Sequence, residues 1–291
     1  MTISLLGAAE IREIAEALEL HPAKSLGQNF VIDSNTCQKI VRLAVINRGD
    51  HVVEIGPGIG SLTLALLQAT DRVTAIEIDQ RLAQHLPITA QSHGVQDGSL
   101  TVINDDAMKV FDIPGAPTKL VANLPYNVSV PVLLTMLERF PSITSGVVMV
   151  QTEVAERLAA KPGSKTYGVP SAKAAWWCDM ILADSVSRSV FWPVPNVDSV
   201  LIGFERWPAE MGRAARTEDN EELRLRVFEI VDRAFGQRRK MLRQALAIVF
   251  GNPDLASRAL EAAGVSPTLR GEQLTIDDYI RIASIDPSSL G

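Results

Sequence analysis

The chain has 291 residues, 46% of them hydrophobic, and carries 28 Lys and Arg against 34 Asp and Glu, a net charge of −6. That length and apolar content allow one large core and a smaller second domain, and no apolar run approaches the roughly 20 residues of a membrane span. Cys37 and Cys178 stand in unrelated segments and the four histidines show no ligand spacing, so neither a disulfide framework nor a metal site is expected.

The segment Met1 to Glu19 has no basic n-region and carries Glu10, Glu13, Glu16 and Glu19, so it is not expected to act as a signal peptide. Ile11, Ile14, Ala15 and Leu18 instead mark a helix stripe. With two reduced cysteines, the expected location is the cytoplasm. After Asp50, short apolar runs alternate with helical patterns. Strands are predicted over 51–55, 73–78, 100–103, 119–122 and 146–151, and helices over 61–69, 80–91, 130–140 and 153–160. This rhythm predicts an α/β fold with a Rossmann-like, mostly parallel sheet covered on both faces. Two further strands, 180–188 and 199–206, have no helix between them and are expected to be antiparallel at one edge. Residues 208–220 are polar, with Pro208 and Gly212, and read as a linker. Beyond them Leu223, Val227, Ile230, Val231 and Ala234 mark one helix face, and Leu242, Ala245, Leu246 and Val249 another. A third helix over 255–263 stops at Gly264, and a fourth spans 276–282. The predicted organisation is a catalytic domain over 1–207, with an N-terminal helical extension, and a small all-helical domain over 215–291.

The first strand of the sheet turns into its helix through Glu54-Ile-Gly-Pro-Gly-Ile-Gly60. Gly56, Gly58 and Gly60 let backbone approach a ligand without Cβ clashes. A nicotinamide enzyme would place its third glycine at position 61, where this chain has Ser61. The observed spacing fits a cofactor without a pyrophosphate. Glu77 ends the second strand about 20 residues on, where an acid accepts both ribose hydroxyls; its plainer role is to cap the next helix beside Asp79. The third strand ends in Asn104-Asp-Asp-Ala107, where Asp105 or Asp106 can accept from an adenine amino group, and spacing does not separate the two. These groups predict S-adenosylmethionine (AdoMet) as cofactor.

The fourth strand ends in Asn123-Leu-Pro-Tyr126. An adenine amino nitrogen is a poor nucleophile because its lone pair is delocalised into the ring. Two acceptors aimed at its N–H bonds favour a pyramidal, reactive nitrogen. The Asn123 carboxamide and the Leu124 carbonyl are the candidates. Pro125 stiffens the turn, and Tyr126 offers a ring for stacking, typically about 1–3 kcal/mol per base. A second aromatic segment, Phe191-Trp-Pro-Val-Pro-Asn-Val-Asp-Ser199, is a rigid loop. Phe191 closes on a target base or anchors the following strand; spacing supports both equally.

The negative net charge argues against a nucleic-acid partner, but the cations are clustered. Residues 233–243 hold five cations and no acid, and residues 157–173 hold Arg157, Lys161, Lys165 and Lys173, again without an acid. Arg238, Arg239, Lys240 and Arg243 read as the first turns of a helix. Cations there oppose the helix dipole at about 0.3–1 kcal/mol each, which points to phosphate contacts.

Across these segments the chain resembles the ribosomal RNA adenine dimethyltransferases, and specifically their small-subunit branch. The resemblance runs nearly end to end. It includes Ser25-Leu-Gly-Gln-Asn-Phe-Val31, the glycine turn, Glu77, Asp106-Ala107, Asn123 to Tyr126, Phe191 to Ser199, Pro162 to Gly168 and Gln237 to Arg243. Val31 stands where leucine is usual. The resemblance implies that Gln28, Asn29 and Val31 lie against the cofactor, that Asp106 and Ala107 contact its adenine, and that Lys165 joins the basic segment on RNA. It implies dimethylation of two adjacent adenosines in a hairpin loop near the 3′ end of small-subunit (16S) RNA, in small-subunit biogenesis; a monomer is expected. Two alternatives are a large-subunit adenine methylase, which the segments 162–168 and 191–199 disfavour, and an assembly factor for which binding matters more than methylation.

Overall fold

The computed structural model describes residues 3–20, 29–208 and 221–290; Gln28 and the predicted linker from residue 209 onward lie outside them. The strands are β1 (Phe30–Val31), β2 (Val52–Ile55), β3 (Val73–Ile76), β4 (Leu100–Ile103), β5 (Lys119–Asn123), β6 (Ser145–Gln151), β7 (Cys178–Val186), β8 (Phe191–Trp192) and β9 (Ser199–Arg206). The helices up to β7 are α1 (Ala8–Ala17), α2 (Ser34–Leu43), α3 (Ser61–Ala69), α4 (Gln80–Ser92), α5 (Ser129–Arg139), α6 (Thr152–Leu158) and α7 (Val169–Ala174). After β9 follow α8 (Glu221–Gly236), α9 (Leu242–Ala245), α10 (Ala247–Phe250), α11 (Pro253–Ala262) and α12 (Ile276–Ala283).

Seven strands form one sheet in the order β4-β3-β2-β5-β6-β9-β7. β2 is parallel to β3 and to β5, β3 to β4, and β5 to β6, whereas β9 runs antiparallel to β6. The parallel sheet with an antiparallel addition at one edge agrees with the sequence reading. Val52-Val-Glu-Ile and Val73-Thr-Ala-Ile are buried at every position, as central strands covered on both faces must be. β3 and β4 lie outward of β2 on one side, and β6 lies outward of β5 on the other. The β2/β5 boundary is therefore the switch point, where open α/β sheets bind ligands beyond the strand C-termini. A separate two-stranded sheet pairs β1 with β8, Phe30 opposite Trp192 and Val31 opposite Phe191.

α1 buries Ile11 and Ala15, which join Phe30, Ile59, Leu64 and Leu82 in one apolar cluster. α2 escaped the sequence reading because only Thr36, Cys37 and Ile40 are buried among its polar residues. Asp33 caps it, accepting from the Thr36 backbone N–H at 2.9 Å.

The chain divides into two compact units, Met1–Ala155 with Met180–Arg206, and Glu156–Asp179 with Trp207–Gly291. This differs from the division expected at 207 and 215, because residues 156–179 group with the C-terminal helices. Aromatic packing explains the difference. Trp176 and Trp177 both meet the Phe228 ring edge to face, and Tyr167 packs on Phe235. The Tyr167 hydroxyl donates to the Leu274 carbonyl at 2.9 Å, and the Gly163 N–H donates to the Glu272 carbonyl at 2.7 Å.

Candidate active site

In the first unit a cavity of about 230 Å3 opens at the switch point. Among the residues predicted for the site, it brings together Asn29, Val31, Gly56, Gly58, Glu77, Asp106, Ala107, Asn123 and Pro125. They come from the loop before β1, the ends of β2, β3 and β5, and the segment after β4.

The glycine turn is built as its φ angles demand. Gly56 sits at φ +67° and Gly58 at +58°, both left-handed. A Cβ at Gly58 would lie 2.9 Å from the Phe30 ring, so the turn and β1 are in close contact. Gly60 does not line the cavity. It is the N-cap of α3 at φ +109°, and a Cβ there would meet Leu86 Cδ1 at 2.8 Å. Helix packing accounts for this glycine, and its neighbours Ile59 and Ser61 line the cavity.

Glu77 is only 5% exposed. One carboxylate oxygen accepts from the Gly58 N–H at 3.1 Å and the other from the Asp79 N–H at 3.0 Å. Burial pushes its pKa up, and these backbone bonds oppose that rise. Each oxygen keeps lone-pair capacity for a hydroxyl donor. The first bond also ties the acid to the glycine turn, so two motifs separated in sequence form one cradle. Asp105 and Asp106 both line the cavity. Asp105 caps the Asp106 N–H at 2.7 Å, and Asp106 accepts from the Met108 N–H at 2.9 Å.

Asn123 closes the far wall. Its Nδ2 donates to the Asn29 backbone carbonyl at 3.0 Å. Only the amide nitrogen can make that bond, so the carboxamide orientation is fixed and Oδ1 is left to accept. The Leu124 side chain is buried, and its N–H donates to the Met149 carbonyl at 3.1 Å, which hangs the turn on β6. Tyr126 is half-buried, and its hydroxyl lies 2.6 Å from the Ser199 Oγ. Burial raises the phenol pKa, and the serine bond opposes it.

Phe191 does not face the cavity. It is 1% exposed and packs with Val31, Met149 and Leu201, so of its two readings the structure favours the core anchor. Pairing with β1 turns the ring inward. Its neighbour Trp192 stacks on Phe30 instead, with centroids 6.3 Å apart.

Several lining residues were not anticipated. Glu54 is fully buried, accepts from the Thr63 hydroxyl at 2.6 Å, and has its pKa pushed up to about 8, chiefly by desolvation. Its place inside the glycine-turn motif was the available signal. Phe30 lies within the Asn-Phe motif. Ile78, an apolar residue left 64% exposed directly after Glu77, also lines the cavity.

The basic segment belongs to the second unit, and of its four predicted RNA contacts Arg243 alone lies at a helix start. α8 ends at Gly236, residues 237–241 form a turn, and α9 begins at Leu242. Arg238, Arg239 and Lys240 therefore follow a helix C-terminus, where the dipole favours cations. The argument from a misplaced charge fails for these three, because α8 ends before them at Gly236. Arg238 bonds to Glu272 at 2.7 Å and to the Lys165 carbonyl at 2.8 Å. The predicted residues Lys165 and Arg238 are thus neighbours. Arg239, Lys240 and Arg243 are exposed.

The residues present suit AdoMet: a turn that brings backbone close, a buried acid with spare acceptor capacity, and apolar walls. Sheet order and switch-point chemistry place the protein among the AdoMet-dependent methyltransferases of Rossmann-like fold. The class narrows through sequence. The chain belongs to the ribosomal RNA adenine dimethylase family, whose family model matches residues 21–285. It is 59% identical over 283 residues to the ribosomal RNA small subunit methyltransferase A of Leifsonia xyli subsp. xyli, covering 97% of this chain and 99% of that one. It is 55% identical over 285 residues to the protein of the same name from Kineococcus radiotolerans, covering 98% and 92%. A dimethyladenosine transferase from Plasmodium falciparum has a TM-score of 0.71 at 24% identity, over 86% of this chain and 94% of that one. The 23S rRNA methyltransferase ErmE has a TM-score of 0.62 at 24% identity, over 88% and 98%. These two likenesses concern the fold alone. Family membership gives the activity, AdoMet-dependent dimethylation of adenine in ribosomal RNA.

Proposed function

We propose that the protein dimethylates two adjacent adenosines in a hairpin loop near the 3′ end of small-subunit (16S) ribosomal RNA. The step belongs to small-subunit biogenesis in the cytoplasm, and the enzyme works as a monomer. The substrate assignment is supported by near-full-length identity to relatives named for the small subunit. No helix among the described residues is long and apolar enough to cross a membrane.

The chemistry rests on one observation, the Asn123 amide held against the Asn29 carbonyl at 3.0 Å. When bound, AdoMet supplies an electrophilic methyl group. Gly56, Gly58, Asn29 and Val31 shape its cradle, Glu77 receives the ribose hydroxyls, and Asp106 with Ala107 meets the adenine. Asn123 Oδ1 and the Leu124 carbonyl accept the amino hydrogens of the target base, while Tyr126 stacks on its face. An amide is no general base at neutral pH, so the proton leaves to water, and the rate comes from positioning. The base must be unstacked to enter, which costs less in a hairpin loop than in a duplex. Lys165, Arg239, Lys240 and Arg243 meet phosphates; Arg238 positions this basic turn through Glu272 and Lys165.

The test is methyl transfer from labelled AdoMet to separated ribosomal subunits. Label confined to small-subunit RNA is expected. Label confined to large-subunit RNA would overturn the substrate assignment.

A further inference from the structure

Tyr126 and Ser199 lie 73 residues apart in sequence, yet their hydroxyl oxygens are 2.6 Å apart. Either oxygen can donate. Ser199 is 0% exposed and opens β9, where it pairs with Gln151 at the end of β6. The preceding carbonyl, of Asp198, accepts from both the backbone N–H and the hydroxyl of Thr152 at 3.0 Å. The serine is thus fixed by the strand ladder and by the residue before it. Arg188 braces the same loop, donating to the Asn196 carbonyl at 3.2 Å and pairing with Asp198 at 2.9 Å.

The turn carrying Tyr126 hangs on the same strand, through the Leu124 N–H and the Met149 carbonyl. Its two ends are therefore held by β6, one directly and one through Ser199. A half-buried aromatic ring on a turn keeps rotameric freedom. A hydrogen bond from its far end to a fully buried partner removes that freedom.

We propose that Ser199 is a positioning residue for methyl transfer: by holding the Tyr126 phenol it fixes the ring face offered to the target adenine. This rests on the reading above that Tyr126 stacks on that base. It also gives the Phe191–Ser199 loop a role in the reaction that does not need Phe191 to leave the core.

The test is a double-mutant cycle in the full-length enzyme with small subunits as substrate. The variants are Ser199→Ala, Tyr126→Phe and the double mutant. Loss of one such hydrogen bond corresponds to roughly a three- to tenfold fall in kcat. Each single variant should show it with the KM for AdoMet unchanged, and the double variant should be no slower than the slower single. Tyr126→Phe keeps the ring and touches no buried strand, so it reads the proposal even if Ser199→Ala folds poorly. A double variant as slow as the product of the single effects would overturn the proposal. So would full kcat in Tyr126→Phe. A wild-type enzyme that leaves small subunits unmethylated would instead sink the functional reading on which the proposal stands.

Discussion

Asn123 suits its proposed task because a carboxamide carries a donor and an acceptor on one rigid plane. The Asn29 carbonyl takes the donor, so the acceptor direction follows. Asn123→Ala should lower kcat at least about a hundredfold, as for other lost electrostatic contacts in a reacting centre, a larger loss than any change in AdoMet affinity read by calorimetry. Asn123→Asp keeps an acceptor but sets a carboxylate oxygen against the Asn29 carbonyl. It should lose activity nearly as fully; wild-type rates in the Asp variant would dispose of the orientation argument. Glu54 makes a pH prediction. Its pKa is raised from 4.5 to about 8 in the folded protein. Between these values the unfolded chain releases a proton that the folded chain keeps, so stability falls as pH rises, by roughly 1 kcal/mol per pH unit. The contribution is whole below about pH 4.5 and gone once pH passes about 8. Glu54→Gln should flatten that component of Tm between pH 5 and pH 8. An unchanged slope in thermal melts would show that Glu54 ionises normally. At this scale the placement of Glu77 and Asn123 at the cavity was legible because both stand at strand ends. The burial of Phe191 was not, because a residue's face in a two-residue strand depends on its partner strand.

Elements with a strong apolar period were readable to the residue: α3, β4 and β9 begin and end where their patterns do. β1 and β8 have two residues each and no period to read, and α7 has only six residues. The second C-terminal helix face is split into α9 and α10 at Leu246, and Arg238, Arg239 and Lys240 lie in a turn. The glycine turn shows how elements constrain each other. Gly58→Ala would place a Cβ 2.9 Å from the Phe30 ring at a left-handed φ, disturbing β1 and the Asn29 carbonyl beside it. Gly60→Ala would strain φ +109° and press on Leu86, away from the cavity. Both should be destabilised by about 1–3 kcal/mol in urea unfolding. Only Gly58→Ala should also weaken AdoMet binding severalfold beyond its stability loss. Equal binding defects in both would mean that Gly60 contacts the cofactor after all.

For the whole molecule, charge segregation matters more than the net charge of −6. The second unit gathers Lys165 and the 238–243 cations, and residues 156–179 belong to it through aromatic packing that no linear boundary signal announced. Reversing Arg239 and Arg243 to Glu should weaken small-subunit binding and lower the slope of log affinity against log salt by about one per lost phosphate contact. An unchanged slope would remove this turn from the RNA surface. The central claim, that the cavity dimethylates neighbouring adenines of small-subunit RNA, is tested most directly by mass spectrometry of that RNA after incubation with the enzyme and AdoMet. The account predicts two adjacent N6,N6-dimethyladenosines in the 3′-terminal fragment, absent with Asn123→Ala. Methylation at other nucleotides, or the same products from the Asn123→Ala enzyme, would contradict it.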